Sequence, residues 1–230
     1  MKVAVVGTAG RGKEVEPRLT RRLFESMVQT VASKLPRPQA TVLISGGAAW
    51  ADHVAVTLFL RGKVSGLELH LPCEWDTTMT QFADTGASHW AANPGRTANS
   101  YHRKFSAVLG RSSFKELAAA RAKGAVFTTY SGFHVRNSVI ARECDRTISL
   151  TWATGDAPTS GGSLDQWRKC TKAKEHVPLQ TLVSAGTALV TKRKYSPSVP
   201  HHGASNKKTK TAPAVTQKTL DGFVRKPQPA

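Results

Sequence analysis

Acidic residues are scarce in this chain: 15 Asp and Glu stand against 33 Lys and Arg in 230 residues, for a formal charge of +18. A surface so short of carboxylates has little to attract a cationic partner and points to a polyanion, usually nucleic acid. Cysteine is nearly absent too. Cys73, Cys144 and Cys170 are odd in number, widely spaced and in no C-x-x-C arrangement. That excludes a disulfide framework and a thiolate zinc site, and leaves reduced thiols in an intracellular protein. Long apolar runs are missing as well. No stretch reaches membrane-spanning length, and Val3, Ala4, Val5 and Val6 after Lys2 are too few for a signal-peptide core. No set of His, Cys and carboxylates has a spacing typical of a metal site. Neither metal nor membrane is expected, and no cofactor is identified.

What is present is 40% hydrophobic, enough for the core of one α/β domain followed by a tail. Short apolar runs alternate with helical patterns. Strands are predicted at 3–6, 42–45, 67–71, 125–130, 147–152 and 178–183. Helices are predicted after residue 20, where Leu23, Phe24, Met27, Val28 and Val31 share one face, and at 50–61, 114–123, 135–143 and 163–174. Ser113 with Glu116 reads as the capping box of the third of these. Residues 73–111 show no clear period and read as an irregular insertion with a little helix near 99–108. Alternation of this kind gives a three-layer Rossmann-like α/β domain with a mainly parallel sheet over residues 1–185. From 186 to 230 the composition turns to Lys, Pro, Ser, Thr and Ala, and a disordered basic tail is expected. From residue 191 onward nine Lys and Arg face the single acid Asp221, against 24 and 14 before it.

The strand at 42–45 runs into Ser45-Gly46-Gly47 and then Asp52-His53. A glycine pair between a strand and a helix turns the backbone freely and aims N–H groups at an anion above the sheet edge. In a doubly wound sheet such turns converge beyond the carboxyl ends of the strands. Four polar or Gly-rich turns fall there: 7–11, 45–53, 131–137 and 154–165. Together they predict a crevice for a nucleotide-like ligand. His53 beside Asp52 invites a catalytic role, but neighbours on a helix do not face each other, and a polar helix face is the ordinary explanation. His102, Arg103, His201 and His202 read as exposed polar residues. Aromatics of the insertion, Trp75, Trp90 and Tyr101, could stack on bases but more often cap a core.

These turns resemble the SLOG superfamily, which includes the LOG proteins and the DNA-processing protein DprA. The resemblance rests on Gly7-x-x-Gly10-Arg11, Ser45-Gly46-Gly47-Ala48-x-x-x-Asp52, Arg136-Asn137-x-x-Ile140-Ala141 and Gly161-Gly162-Ser163. It implies a nucleotide- or single-stranded-DNA-binding domain. Gly7, Thr8, Gly10 and Arg11 would line the ligand, with Ser45, Gly46 and Gly47 cradling a phosphate. Asp52 would orient a sugar or hold the turn. Arg136, Asn137, Gly161, Gly162 and Ser163 would complete the site. LOG enzymes cleave nucleotide N-glycosidic bonds and carry P-G-G-x-G-T-x-x-E. The matching stretch here runs from Pro158 through Gly161-Gly162-Ser163 to Gln166. A neutral Gln cannot serve as a base or stabilise an oxocarbenium-like centre. An N-glycosidase is therefore the alternative reading, with Asp52, Arg136 and Asp165 as its catalytic candidates.

The stretch Gln217-Lys218-Thr219-Leu220-Asp221-Gly222-Phe223-Val224 resembles the PIP-box by which replication and repair proteins dock on the sliding clamp PCNA. Gln217, Leu220 and Phe223 match, and Val224 replaces the second aromatic. A single 3₁₀-like turn would bring Leu220, Phe223 and Val224 onto one side as an apolar plug. The clusters Lys192-Arg193-Lys194 and Lys207-Lys208-Thr209-Lys210 fit nuclear import or phosphate contact. The sequence thus predicts a nuclear protein that binds nucleotide or DNA and is recruited by PCNA, and it leaves oligomer formation open.

Overall fold

The computed structural model describes residues 1–183; the tail motif at 217–224, both basic clusters and His201-His202 lie outside them. Six strands form one sheet: β1 (Lys2–Gly7), β2 (Val42–Ser45), β3 (Gly66–Leu71), β6 (Val126–Thr129), β7 (Arg146–Thr151) and β8 (Ala173–Pro178). Their order is β6-β3-β2-β1-β7-β8, and every neighbouring pair is parallel. A parallel sheet needs helical cover on both faces. One face is covered by α1 (Arg21–Lys34), α2 (His53–Leu60), α3 (Pro94–Leu109) and α4 (Ser113–Ala122), and the other by α5 (Phe133–Glu143) and α6 (Gly161–Lys169). The three-layer α/β class expected from the alternation is the one found.

The register of the sheet sorts the side chains. Val3 and Val5 join the large core under α1 to α4, while Ala4 and Val6 pack with Ile44, Ile140, Ala141, Cys144 and Cys170 under α5 and α6. Thr20 caps α1 through its hydroxyl, and the stripe Leu23, Phe24, Met27, Val28 and Val31 is buried. Each such side chain contributes about 1.5–3 kcal/mol. α2 has no polar face, because α1 and α4 pack beside it; His53 through Phe59 are all buried.

Several expectations are corrected. Residues 73–111 are ordered: β4 (Trp75–Asp76) and β5 (Gln81–Phe82) pair antiparallel, and α3 is longer than the 99–108 helix expected. Asn93 caps α3 and Pro94 occupies its first turn, a strong helix start that reads in the sequence as a loop. Ala98, Phe105 and Leu109 then enter the main core. The cap of α4 is Ser112, whose hydroxyl accepts from the Lys115 amide, not Ser113. α6 ends at Lys169 and β8 is Ala173–Pro178, where a helix to 174 and a strand at 178–183 were expected. Residues 179–183 are helical. No described helix is long and apolar enough to cross a membrane.

Candidate nucleotide-binding rim

Because the strands are parallel, the turns after β1, β2, β6 and β7 leave the sheet at one edge. They are tied together there by side chains. The β2 turn is folded around Asp52, whose Oδ2 accepts from the Gly46 amide at 3.1 Å and the Ala48 amide at 3.3 Å. Gly47 is left-handed (φ +68°). The amides that would have met an anion at 46 and 48 are therefore held by the protein's own carboxylate. The Ser45 hydroxyl is buried and donates to Val5 O at 2.7 Å. Asp52 holds the turn, one of the two roles the resemblance implied.

Arg136 reaches this turn from α5. Its Nη1 donates to Gly46 O and lies 3.9 Å from Asp52 Oδ2, so close that a Cβ on Gly46 would fall 2.0 Å from the guanidinium. Burial pushes the Asp52 carboxyl up, against the pull of Arg136 and the amides, and burial lowers Arg136 while Asp52 opposes it. Arg136 Nε donates to Asn137 Oδ1 at 3.2 Å. Asn137 Nδ2 donates in turn to Gly162 O at 3.3 Å and to Asp165 Oδ2 at 3.0 Å. One chain of hydrogen bonds thus joins Gly46, Arg136, Asn137, Gly162 and Asp165 across the rim. Burial raises the Asp165 carboxyl, but donors from Asn137 and Lys169 outweigh it and hold it below the usual carboxylate range.

The β1 turn joins through its backbone. Thr8 N donates to Leu150 O at 2.9 Å, and the Ala51 amide donates to Thr8 O at 3.1 Å. A Cβ on Gly7 would lie 2.0 Å from Leu150 O, and one on Gly10 2.8 Å from the Trp50 indole. Arg11 is exposed and makes no hydrogen bond or ion pair among the described residues. Gly161 and Gly162 open α6 and are exposed, with Ser163 half-buried behind them. Gln166, the residue at the LOG glutamate position, is not at the rim. It is 1% exposed and donates from Nε2 to Thr147 Oγ1 at 3.0 Å under the sheet.

The expectations for His53 and His102 fail. His53 is fully buried between α2 and α4, with Nε2 2.7 Å from Glu116 Oε2, so it is neither a rim residue nor part of a polar face. His102 is not exposed but buried in α3, with Nδ1 2.9 Å from Ser113 Oγ and Nε2 donating to Gly47 O at 3.0 Å. Its signal in the sequence is the stripe Ala98, His102, Phe105 and Leu109 at three- and four-residue spacing. Trp75 and Tyr101 pack against the core, as the ordinary reading had it, but Trp90 is half exposed. Its ring lies 6.1 Å from that of Phe133, over which Arg136 sits at 5.5 Å. Arg18, also unflagged by the sequence, lies 3.8 Å over the Trp152 ring just past β7. Two cavities, of about 290 and 270 Å³, are lined by none of the expected ligand residues.

No family model matches the chain. Among solved structures, DNA processing protein A (DprA) from Streptococcus pneumoniae is similar over 84% of this chain, at a TM-score of 0.43 and 17% identity. The chain spans 56% of the length of that protein. An uncharacterized protein of Acanthamoeba polyphaga mimivirus is 34% identical over 175 residues, which make up 74% of this chain and 90% of the relative. On that identity and coverage, the chain belongs to the same family as this mimivirus protein.

Proposed function

We propose that the rim binds the phosphates of a nucleotide or of single-stranded DNA, in the manner of the SLOG superfamily. The observation that carries this reading is the bridge from Gly46 through Arg136 and Asn137 to Gly162. It fixes a buried guanidinium between two glycine turns at the carboxyl ends of the strands, where doubly wound sheets take ligands. The exposed glycines opening α6 offer unshielded amides to a phosphate, and Arg11 adds an exposed positive charge. Trp90 and Phe133 add ring faces on which a base can stack.

Fluorescence anisotropy with a labelled oligothymidylate, and nucleoside monophosphates as competitors, tests the reading. Gly162→Asp places a carboxylate at the start of α6, where a Cβ meets only Asn137 Nδ2 at 3.4 Å. Affinity should drop more than about tenfold, on the order of 1.4 kcal/mol. Binding unchanged by this substitution would sink the site.

The same observations favour binding over N-glycosidic hydrolysis. Asp52 is sealed by two amides, Asp165 is already paired with Asn137 and Lys169, and Gln166 faces the sheet. Release of free base from nucleoside monophosphates, abolished by Asp165→Asn, would reinstate the hydrolase. The tail completes the proposal: Gln217, Leu220, Phe223 and Val224 dock on PCNA and bring the protein to replication or repair sites in the nucleus. A peptide of residues 211–230 should bind PCNA and lose that binding with Phe223→Ala; equal binding by the two peptides excludes the docking role.

A further inference from the structure

On the face covered by α5, β3 presents Glu68 and His70, two residues apart and therefore side by side. α5 ends above them on Glu143. One ligand-type atom from each lies within 4.8 Å of the others. His70 is 3% exposed. Its Nδ1 lies 3.0 Å from the Tyr130 hydroxyl, and the two rings stack at 5.5 Å. Its Nε2 is buried without a hydrogen-bond partner and points at Glu143 Oε2, 3.8 Å away, beyond hydrogen-bonding reach. Buried nitrogens are seldom left this way.

We infer that Glu68, His70 and Glu143 form a binding site for a first-row divalent cation of the zinc type. One imidazole nitrogen and two carboxylate oxygens are a donor set such ions accept. Three protein ligands leave a fourth tetrahedral position for water. Tyr130 holds the ring from behind, as the outer partner of a metal-bound histidine does. Ligand atoms around tetrahedral zinc stand roughly 3.3 Å apart, so the carboxylates must close in slightly. Both are free to do so, with side chains 23% and 33% exposed. Arg142 lies 3.3 Å from Oε1 of Glu143 and leaves Oε2 to the site. Lys2 is the resident competitor: its ammonium is 2.9 Å from Glu68 Oε2 on a side chain 40% exposed, which can swing into solvent when the ion enters. The site uses none of the rim residues and stands without the nucleotide reading.

Zinc titration of the full chain against a chromophoric chelator tests the assignment. The wild type should hold one zinc ion that His70→Gln and Glu143→Gln each weaken by at least about tenfold. Lys2→Met should bind it severalfold more tightly. Glu143 stands at a helix end, so its variant decides the matter if His70→Gln fails to fold. Zinc bound equally by the wild type and both variants would place the ion elsewhere, for instance on His201-His202, and overturn the site. So would no zinc binding by the wild type. A Lys2→Met variant without gain removes Glu68 from the ligand set and overturns the three-ligand assignment.

Discussion

Arg136 and His102 hold adjacent carbonyls, those of Gly46 and Gly47, from helices on opposite faces of the sheet. The two residues differ in what pH does to them. An arginine stays charged throughout. Burial, with nearby His53 adding to it, pushes His102 down to about 3, so it remains neutral in the folded chain while the unfolded chain takes up a proton near 6.5. The unfolded state then binds more protons between about pH 6.5 and 3, and stability falls as pH drops through that window. Above it His102 contributes no pH dependence. Burial lowers His53 and His70 as well, which adds to the same slope. The unfolding free energy from urea titration should fall between pH 7 and pH 5, at up to about 1.4 kcal/mol per pH unit for His102 below 6.5. His102→Gln should flatten part of that slope; a variant as pH-sensitive as the wild type removes His102 as a source. Arg136 was legible in the sequence because it stands beside Asn137 at the head of an expected helix. His102 was not, since its partner Gly47 is 55 residues away.

The element that most departs from its sequence reading is α3. Its first turn, Asn93-Pro94-Gly95, has the composition of a loop, and only its apolar stripe betrays the helix. Helices with a hydroxyl cap and an uninterrupted stripe, such as α1, were legible at once. Strand identity was legible wherever Val, Leu or Ile ran together. β8 was not, because its sequence AKEHVP is polar and lies at the sheet edge. Gly95 explains why α3 begins where it does: a Cβ there would stand 1.8 Å from Ala83 O. Gly95→Ala should lower stability by about 1–3 kcal/mol through backbone displacement. Gly110, the left-handed C-cap of the same helix, has open space around it. Its alanine variant should cost only the conformational strain, about 1–2 kcal/mol. Thermal melts of the two variants, with α3 loosened only in Gly95→Ala by hydrogen exchange at Phe82 and Asn99, separate the effects. Equal protection in both would refute the close-approach argument.

At the scale of the whole molecule, the charge of +18 makes any DNA affinity salt-dependent. Binding to single strands should fall with log salt at a slope of about −0.7 per phosphate neutralised. Replacing Lys192, Arg193, Lys194, Lys207, Lys208 and Lys210 together by Gln should shallow that slope by up to about 4 if they contact phosphates. An unchanged slope would assign the contacts to the body. The sheet order has a consequence in time. β1 lies between β2 and β7, yet 138 residues separate Gly7 from the start of β7 at Arg146. During synthesis β1 can pair with β2 early, while its other edge waits for β7 and β8. Pairing across so long a loop is slow, and an open edge invites the wrong neighbour. Pulse-labelled exchange during refolding should therefore protect Leu43 before Ile148. The reverse order would mean that the chain closes its long loop first.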